Sequence, residues 1–393
     1  MILVQKTDNN KNGYNYFFKT LFSFNIENNL VYLKLSFNGN LMTSKEIQNI
    51  NTLKFLNHLE LSKCYFIDIF ILKLTNLKVL SFFDCWNIAF SSETCQNIIK
   101  LELYESKLCN LYYSSIKLPN VTDFTFLSNE DEKTQYFFLF DLLSMVKMIR
   151  FAIGFRQFLC LNNSFNQKIE YLKIAFERDY FNFSDENKIN YRFMQLNEME
   201  LLEKIFSLNT LKEIDIPFLN LNYYDKIEGQ NISITKLTIT IANICNRDLF
   251  LFNYQDKFPN LIDLNIIING NNKESNIKIK NNSKSKIKNL KIIGNGKENI
   301  ELYCNFTKLE KICINSDKEI NNIDFPIFNY ECNNEFESLT DFSFVYKNKK
   351  LSLDILLNIY YNLDKMKKLK KFTLECVNKT YFKKFLYDKF KNK

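Results

Sequence analysis

The sequence predicts an α/β solenoid, a row of stacked repeats whose strands form one parallel β-sheet, and three observations predict it. The pattern apolar-x-x-apolar-x-apolar recurs fourteen times. Its copies mostly lie 21 to 30 residues apart, the period of an architecture in which each repeat completes its core only by stacking on its neighbours. Gly (7) and Pro (4) are scarce in a chain of 393 residues, so no long flexible linker divides it, and a rod-like core escapes the size limit of a spherical one.

The clearest copies begin at Leu30, Leu56, Leu77, Ile98 and Leu261, as in Leu30-x-x-Leu33-x-Leu35. Further copies begin at Val121, Met148, Ile169, Leu211, Ile234, Ile287, Leu309, Leu339 and Leu369. Within each, the last two apolar residues are two apart and point to one face of a strand. Asn38, Cys64, Cys85, Asn129, Asn269 and Asn295 follow three residues after the last apolar position, where a small bonding side chain suits a turn. Short intervals leave room for an extended or 3₁₀ return segment, and long ones for a helix. Apolar spacing predicts helices over 135–146, 194–208 and 353–363. The 42-residue interval between Ile169 and Leu211 holds either a decayed repeat or an inserted helix, and the helix is the better reading of 175–210.

Leu30-x-x-Leu33-x-Leu35-x-x-Asn38 and Leu56-x-x-Leu59-x-Leu61-x-x-Cys64 resemble the leucine-rich-repeat consensus, and the resemblance runs from 30 to 377. The early copies are specific; the later ones put Ile and Phe in place of Leu. The Asn/Lys/Ile-rich style is similar to leucine-rich-repeat families of AT-rich large DNA viruses of insects or of protists. The resemblance implies a horseshoe solenoid with a concave parallel sheet, a mixed helical, 3₁₀ and extended convex side, and a role in protein recognition. The expected organisation is an N-terminal cap over 1–29, about fourteen repeats over 30–377, and a basic capping helix over 378–393. Tyr14 to Phe18 are read as packing over the open end of the first repeat. Phe382, Phe385, Leu386 and Phe390 are read as one face of the closing helix.

Composition narrows the function. The chain is 46% hydrophobic and 16% aromatic, too apolar for disorder. It carries 55 Asn, and Lys supplies most of its basic charge, which fits an AT-rich coding sequence. No signal peptide opens it and no 18-residue apolar window occurs, so the expectation is a cytoplasmic protein whose ten Cys are reduced thiols. Cys-x-x-Cys is absent, His58 is the single histidine, and no Asp-rich calcium loop occurs; neither a metal nor a cofactor is expected. Gly294-Asn295-Gly296-Lys297 lacks the first glycine of a phosphate loop, which falls on Lys291, and Glu298 replaces its Ser/Thr. His58, Glu60 and Ser81 fall on one outward face, so a Ser/His/Glu site can be drawn. No oxyanion hole accompanies it, and no catalytic residue is assigned.

Net charge is +8, unevenly spread: 271–297 carries +7 and 365–393 carries +9, leaving the rest at −8. The preferred reading is a solvated loop and a basic end cap. Arg is nearly absent from both stretches, which disfavours nucleic acid.

The outward positions that flank each strand's core residues form columns, polar and mixed in sign. The expected contact face is Tyr32, Lys34, His58, Glu60, Phe83, Glu102, Tyr104, Arg150, Tyr171, Lys173 and Asp215, for Tyr, Phe and Arg dominate interface energies. The expected function is a non-enzymatic protein–protein recognition scaffold. One alternative is a ubiquitin-ligase substrate receptor, although 1–29 carries no helical adaptor module. Another is an anion, membrane-surface or nucleic-acid binder acting through 271–297 and 365–393.

Overall fold

A computed structural model of the chain describes residues 2–6, 29–36, 41–42, 44–91, 94, 96–104, 106–108, 118–127, 149–161, 168–175, 199–217, 229–242, 247–269, 275–280, 285–294, 298–303, 308–316, 338–346, 363 and 366–375. The chain divides into two compact units, Met1–Glu177 and Arg178–Lys393, with the division inside the 42-residue interval.

In the first unit eight strands form a parallel sheet: β1 (Ile2–Lys6), β2 (Tyr32–Ser36), β4 (His58–Ser62), β6 (Val79–Phe83), β8 (Lys100–Tyr104), β10 (Asp123–Leu127), β11 (Arg150–Gly154) and β12 (Tyr171–Ala175), in that spatial order. A second parallel sheet lies on the return side, β3 (Leu41–Met42), β5 (Tyr65–Leu72), β7 (Trp86–Phe90) and β9 (Lys107–Leu108). In the second unit seven strands repeat the arrangement: β13 (Glu213–Pro217), β14 (Lys236–Ala242), β16 (Asp263–Asn269), β18 (Asn289–Gly294), β20 (Lys311–Ser316), β21 (Asp341–Tyr346) and β22 (Lys371–Glu375). Its return sheet is β15 (Arg247–Phe250), β17 (Ser275–Lys280) and β19 (Glu298–Tyr303). Both units are parallel β-solenoids.

Each of the fourteen predicted copies supplies one strand. The inward pairs, Leu33/Leu35, Leu59/Leu61, Leu80/Phe82 and their equivalents through Phe342/Phe344, are buried, as is the first apolar residue of each repeat from Leu30 to Leu339 except Met148, which lies outside the described residues. At the last rung Leu369, and Phe372 and Leu374 of β22, are only half-buried. β1 is a fifteenth strand within the segment read as a cap. Ile2, Leu3 and Val4 pair in register with Tyr32, Leu33 and Lys34, and the chain has no third apolar position there for the repeat pattern to catch.

Backbone bonds fix the rungs. Val31 O accepts from both Asn57 N (3.0 Å) and His58 N (3.1 Å), and Asn57, Lys78, Ile99, Thr122 and Ile149 carbonyls each serve the next rung the same way. The asparagine before the first apolar residue adds a second tie: Asn76, Asn97, Asn120 and Asn260 donate to carbonyls of Lys54 (2.7 Å), Thr75 (2.6 Å), Gln96 (2.6 Å) and Ile232 (2.8 Å) in the preceding repeat. Part of the asparagine content therefore has a structural use that composition alone conceals. The turn after each early strand sits one residue before the cysteine. Lys63 (φ 55°) and Asp84 (φ 53°) take the left-handed conformation. Cys64 and Cys85 are fully buried thiols, bonded to carbonyls of Ser62 (3.5 Å) and Leu61 (3.3 Å). Ser106 fills the same place in the next repeat and accepts from Cys85 N (3.1 Å). Asn38, Asn129 and Asn295 lie outside the described residues, and Asn269 closes β16.

The return side holds helices α1 (Ser44–Asn51), α2 (Phe155–Cys160), α3 (199–207) and α4 (Leu251–Lys257). α2 occupies a 21-residue interval, contrary to the expectation that short repeats return without a helix; six residues suffice because α2 starts directly where β11 ends. α3 is the helix expected over 194–208, with Leu201, Leu202 and Ile205 buried. Residues 135–146, most of 353–363, Tyr14–Phe18 and 378–393 lie outside the described residues.

Asn231, 2% exposed, ties α3 to the repeat of β14. Its amide donates to Ile205 and Leu208 carbonyls (both 2.9 Å) while its oxygen accepts from Ser233 N (3.0 Å) and Ser233 Oγ (2.6 Å). Gly229 just before it has φ 135°, where a Cβ would also meet the Phe206 ring at 2.8 Å. Asn231→Ala removes four bonds from a buried node, although the Ile205 and Leu208 carbonyls keep backbone donors in Leu208 N (3.2 Å) and Leu211 N (3.3 Å), and is expected to lower stability by about 2 kcal/mol, against about 1 kcal/mol or less for the exposed Asn76→Ala. Urea unfolding of both variants checks this; equal losses would remove the special role of Asn231.

Candidate partner-binding face

Strand alternation leaves three outward columns across the first sheet, at the first, third and fifth positions of each strand. The register places Tyr32, His58, Val79, Lys100, Asp123, Arg150 and Tyr171 in the first column. Lys34, Glu60, Ser81, Glu102, Thr125, Ala152 and Lys173 form the third. Ser62, Phe83, Tyr104 and Leu127 stand side by side in the fifth.

Glu60 is the node of the N-terminal part. Its carboxylate accepts from Tyr32 Oη (3.0 Å), lies 3.2 Å from His58 Nε2 and pairs with Lys34 Nζ at 2.6 Å. The Tyr32 ring stands edge-on to the His58 ring, centroids 4.4 Å apart. Burial pushes the Glu60 carboxyl up, but the bonds from Lys34 and Tyr32 and the nearby positive charge overcome it and hold it below its ordinary value. The Lys34 ammonium is raised by its bond to Glu60. The Tyr32 hydroxyl is raised by burial first and then by its bond to Glu60.

Two rungs on, Glu102 accepts from Ser81 Oγ (2.6 Å) and pairs with Lys100 Nζ (2.9 Å). Ser81 is fully buried and bonded to Glu102, whereas His58 is bonded to Glu60, so the drawn Ser/His/Glu arrangement does not assemble. Further along, the Arg150 guanidinium lies 4.2 Å over the Tyr171 ring and 3.9 Å from Asp123. Burial raises the Asp123 carboxyl, and Lys100 and Arg150 only partly oppose this. Phe83 and Tyr104 stack face to face at 4.5 Å with 6° between planes.

Ten of the eleven residues expected at the face thus share one sheet of the first unit. Asp215 belongs to the second unit, in β13 beside Thr238. Lys100 and Asp123 also belong to the face. They stand in the same column as Tyr32 and His58, and the period-2 alternation that placed those two places them as well. Tyr65 and Trp86 form another aromatic pair (4.8 Å) on the return sheet, with Trp86 41% exposed and Tyr65 Oη donating to Asp84 (3.0 Å).

The lysine-rich 271–297 stretch is divided by the fold. Lys278 lies in β17 in register with Asp248 and Glu301, and Lys280 with Phe250 and Tyr303. Lys288 pairs with Glu310 at 2.7 Å. Among the described residues no group of His, Cys, Asp and Glu is placed to hold a metal, and no helix is long and apolar enough to cross a membrane.

No family model matches the chain, and no curated protein matches it. Among solved structures a TLR13–ssRNA13 complex is similar, with TM-score 0.39 and 13% identity over 88% of this chain and 52% of that one. The chain spans about half the length of that structure.

The Glu60 network sets a pH window. A depressed carboxyl stabilises the fold above its unfolded value of about 4.3 and loses that contribution as pH falls through the folded value. The raised Lys34 and Tyr32 contribute below their unfolded values of about 10 and lose that contribution as pH rises. The stability difference between the protein and Glu60→Gln should therefore peak between these limits at about 1 kcal/mol or less, since the site is partly solvated, and shrink at both ends. Urea titrations across pH measure it, and a flat difference would show that the ionised network contributes nothing.

Proposed function

We propose that the protein is a non-enzymatic recognition scaffold that binds a protein partner on the sheet face of its first unit. The observation that carries this reading is the contrast within each strand: inward residues are buried, while the outward columns are held in register and, apart from such positions as Ser81 and Thr125, reach the surface. Rows fixed by backbone bonds lose little freedom on binding. The contents favour a protein over a polyanion. The third column mixes two lysines and two glutamates with neutral residues, and the Phe83–Tyr104 stack and the Arg150–Tyr171 pair supply the residue types that anchor interfaces. The Glu60 network holds Tyr32, Lys34 and His58 in place before a partner arrives.

The test begins with the partner recovered from the native cell by affinity purification at high salt. Phe83→Ser combined with Tyr104→Ser is expected to weaken it at least about tenfold, roughly 1.4 kcal/mol. Trp86→Ser, on the return sheet, is expected to leave it unchanged. The reverse pattern would move the contact surface to the return side and end this reading.

A further inference from the structure

Lysines from the two lysine-rich stretches of the sequence line one edge of the second unit, three rungs apart, with Lys308 and Lys311 between them. β18, β20, β21 and β22 are consecutive rungs, and their N-terminal ends gather lysines from positions as far apart as 286 and 371. Lys286, Lys308 and Lys368 each stand immediately before the first apolar residue of their repeats. Lys288 and Lys370 stand immediately before their strands, and Lys311 and Lys371 open theirs. The carbonyls of Lys288, Glu310 and Thr340 each bind two amides of the next rung and lock these positions side by side.

These lysines are exposed. Lys286 donates to Asn260 Oδ1 (2.8 Å) and Lys288 pairs with Glu310. Among the described residues Lys308, Lys311, Lys368, Lys370 and Lys371 have no carboxylate partner. The repeat does not require lysine at this edge. In the first unit the position before the first apolar residue is Asn29, Phe55, Asn76, Asn97, Asn120, Lys147 and Lys168, so five of seven are not lysine, and three of those asparagines tie one rung to the last. Lys286 and Lys288 tie neighbouring rungs, but among the described residues Lys308, Lys311, Lys368, Lys370 and Lys371 hold no such tie, so rung-to-rung bonding does not explain their clustering.

We propose that this basic ridge is a docking site for an extended acidic segment of a partner protein, separate from the face of the first unit and independent of it. Four rungs span about 14 Å, the reach of four or five residues of extended chain. Lysine ammoniums meet carboxylates as single point charges; the ridge has no Arg to grip phosphates bidentately. Its described residues include no aromatic ring for a base to stack on. Ser338, Thr340 and Asn289 lie between the lysines as neutral hydrogen-bonding groups.

The test uses the full chain and fluorescently labelled octaglutamate, with octaglutamine as its neutral counterpart. Octaglutamate is expected to bind, increasingly weakly as salt screens the charges, and octaglutamine is not. Replacing Lys308, Lys311, Lys368 and Lys371 together by Gln is expected to reduce octaglutamate affinity at least about tenfold. Replacing Lys54, Lys73, Lys78 and Lys168, an equal charge loss in the first unit, is expected to change it less than about twofold. Carbodiimide cross-linking of octaglutamate to the unmodified protein should map to the ridge lysines, which guards against a misfolded variant. Equal losses in both variants, cross-links scattered over the surface, or no octaglutamate binding would each overturn the proposal. So would tighter, ridge-dependent binding of oligothymidylate or of phosphatidylserine vesicles.

Discussion

Registered parallel pairing is the constraint on which everything else in this protein depends. Side chains alternate along a strand, so a slip of one residue would carry every Leu and Ile of a repeat to the open face and every Lys and Glu into the core. Burial of pairs such as Leu59/Leu61 therefore selects the register, and the doubled bonds to Val31, Asn57 and Lys78 carbonyls hold it at the leading end of each strand. Outward chemistry follows from inward packing. Tyr32 meets His58, and Lys34 meets Glu60, because Leu33 stacks on Leu59.

That dependence explains what the sequence revealed and what it hid. Strand positions were legible in all fourteen copies because core burial imposes a spacing that survives exchange of Leu for Ile or Phe. β1 was hidden because Gln5, the partner of Leu35, stands where the repeat has its last apolar residue. Return segments were harder, for their residues answer to local space rather than to a period. α2 fits into a short interval, and β5 and β7 pair with each other through a register shift between Tyr65 and Phe70. The asparagine ties were hidden for another reason. In a chain with 55 Asn, the few that bond a preceding rung cannot be told by type from the many that do not. Position is the signal, since the residue before the first apolar step is Asn in Asn76, Asn97, Asn120 and Asn260.

The face was legible as columns but not as networks. Alternation places Glu60, Ser81 and Glu102 in one row, yet it cannot say which neighbour each one bonds. Ser81 turns to Glu102 and His58 to Glu60, so groups that look like one site on paper form two separate clusters. Each carboxylate has a lysine close by, and such partly solvated pairs contribute little net stability. Their larger effect is positional. A glutamate that holds a tyrosine, a lysine and a histidine at once removes rotamer freedom from all three before any partner binds.

The same logic separates structural charge from available charge in the second unit. Along the first outward column Glu213 pairs with Lys236 at 2.6 Å, and Asp263 bonds Asn289, so charge at the N-terminal rungs is consumed within the sheet. Beyond Lys288–Glu310 that pairing stops: Lys311 stands beside Asp341, and Asp341 beside Lys371, without an ion pair forming between them. Sheet-stabilising ladders place opposite charges within reach of each other. Here the lysines outnumber the acids and extend past them toward solvent. This unneutralised positive charge is what the proposed acidic segment would meet.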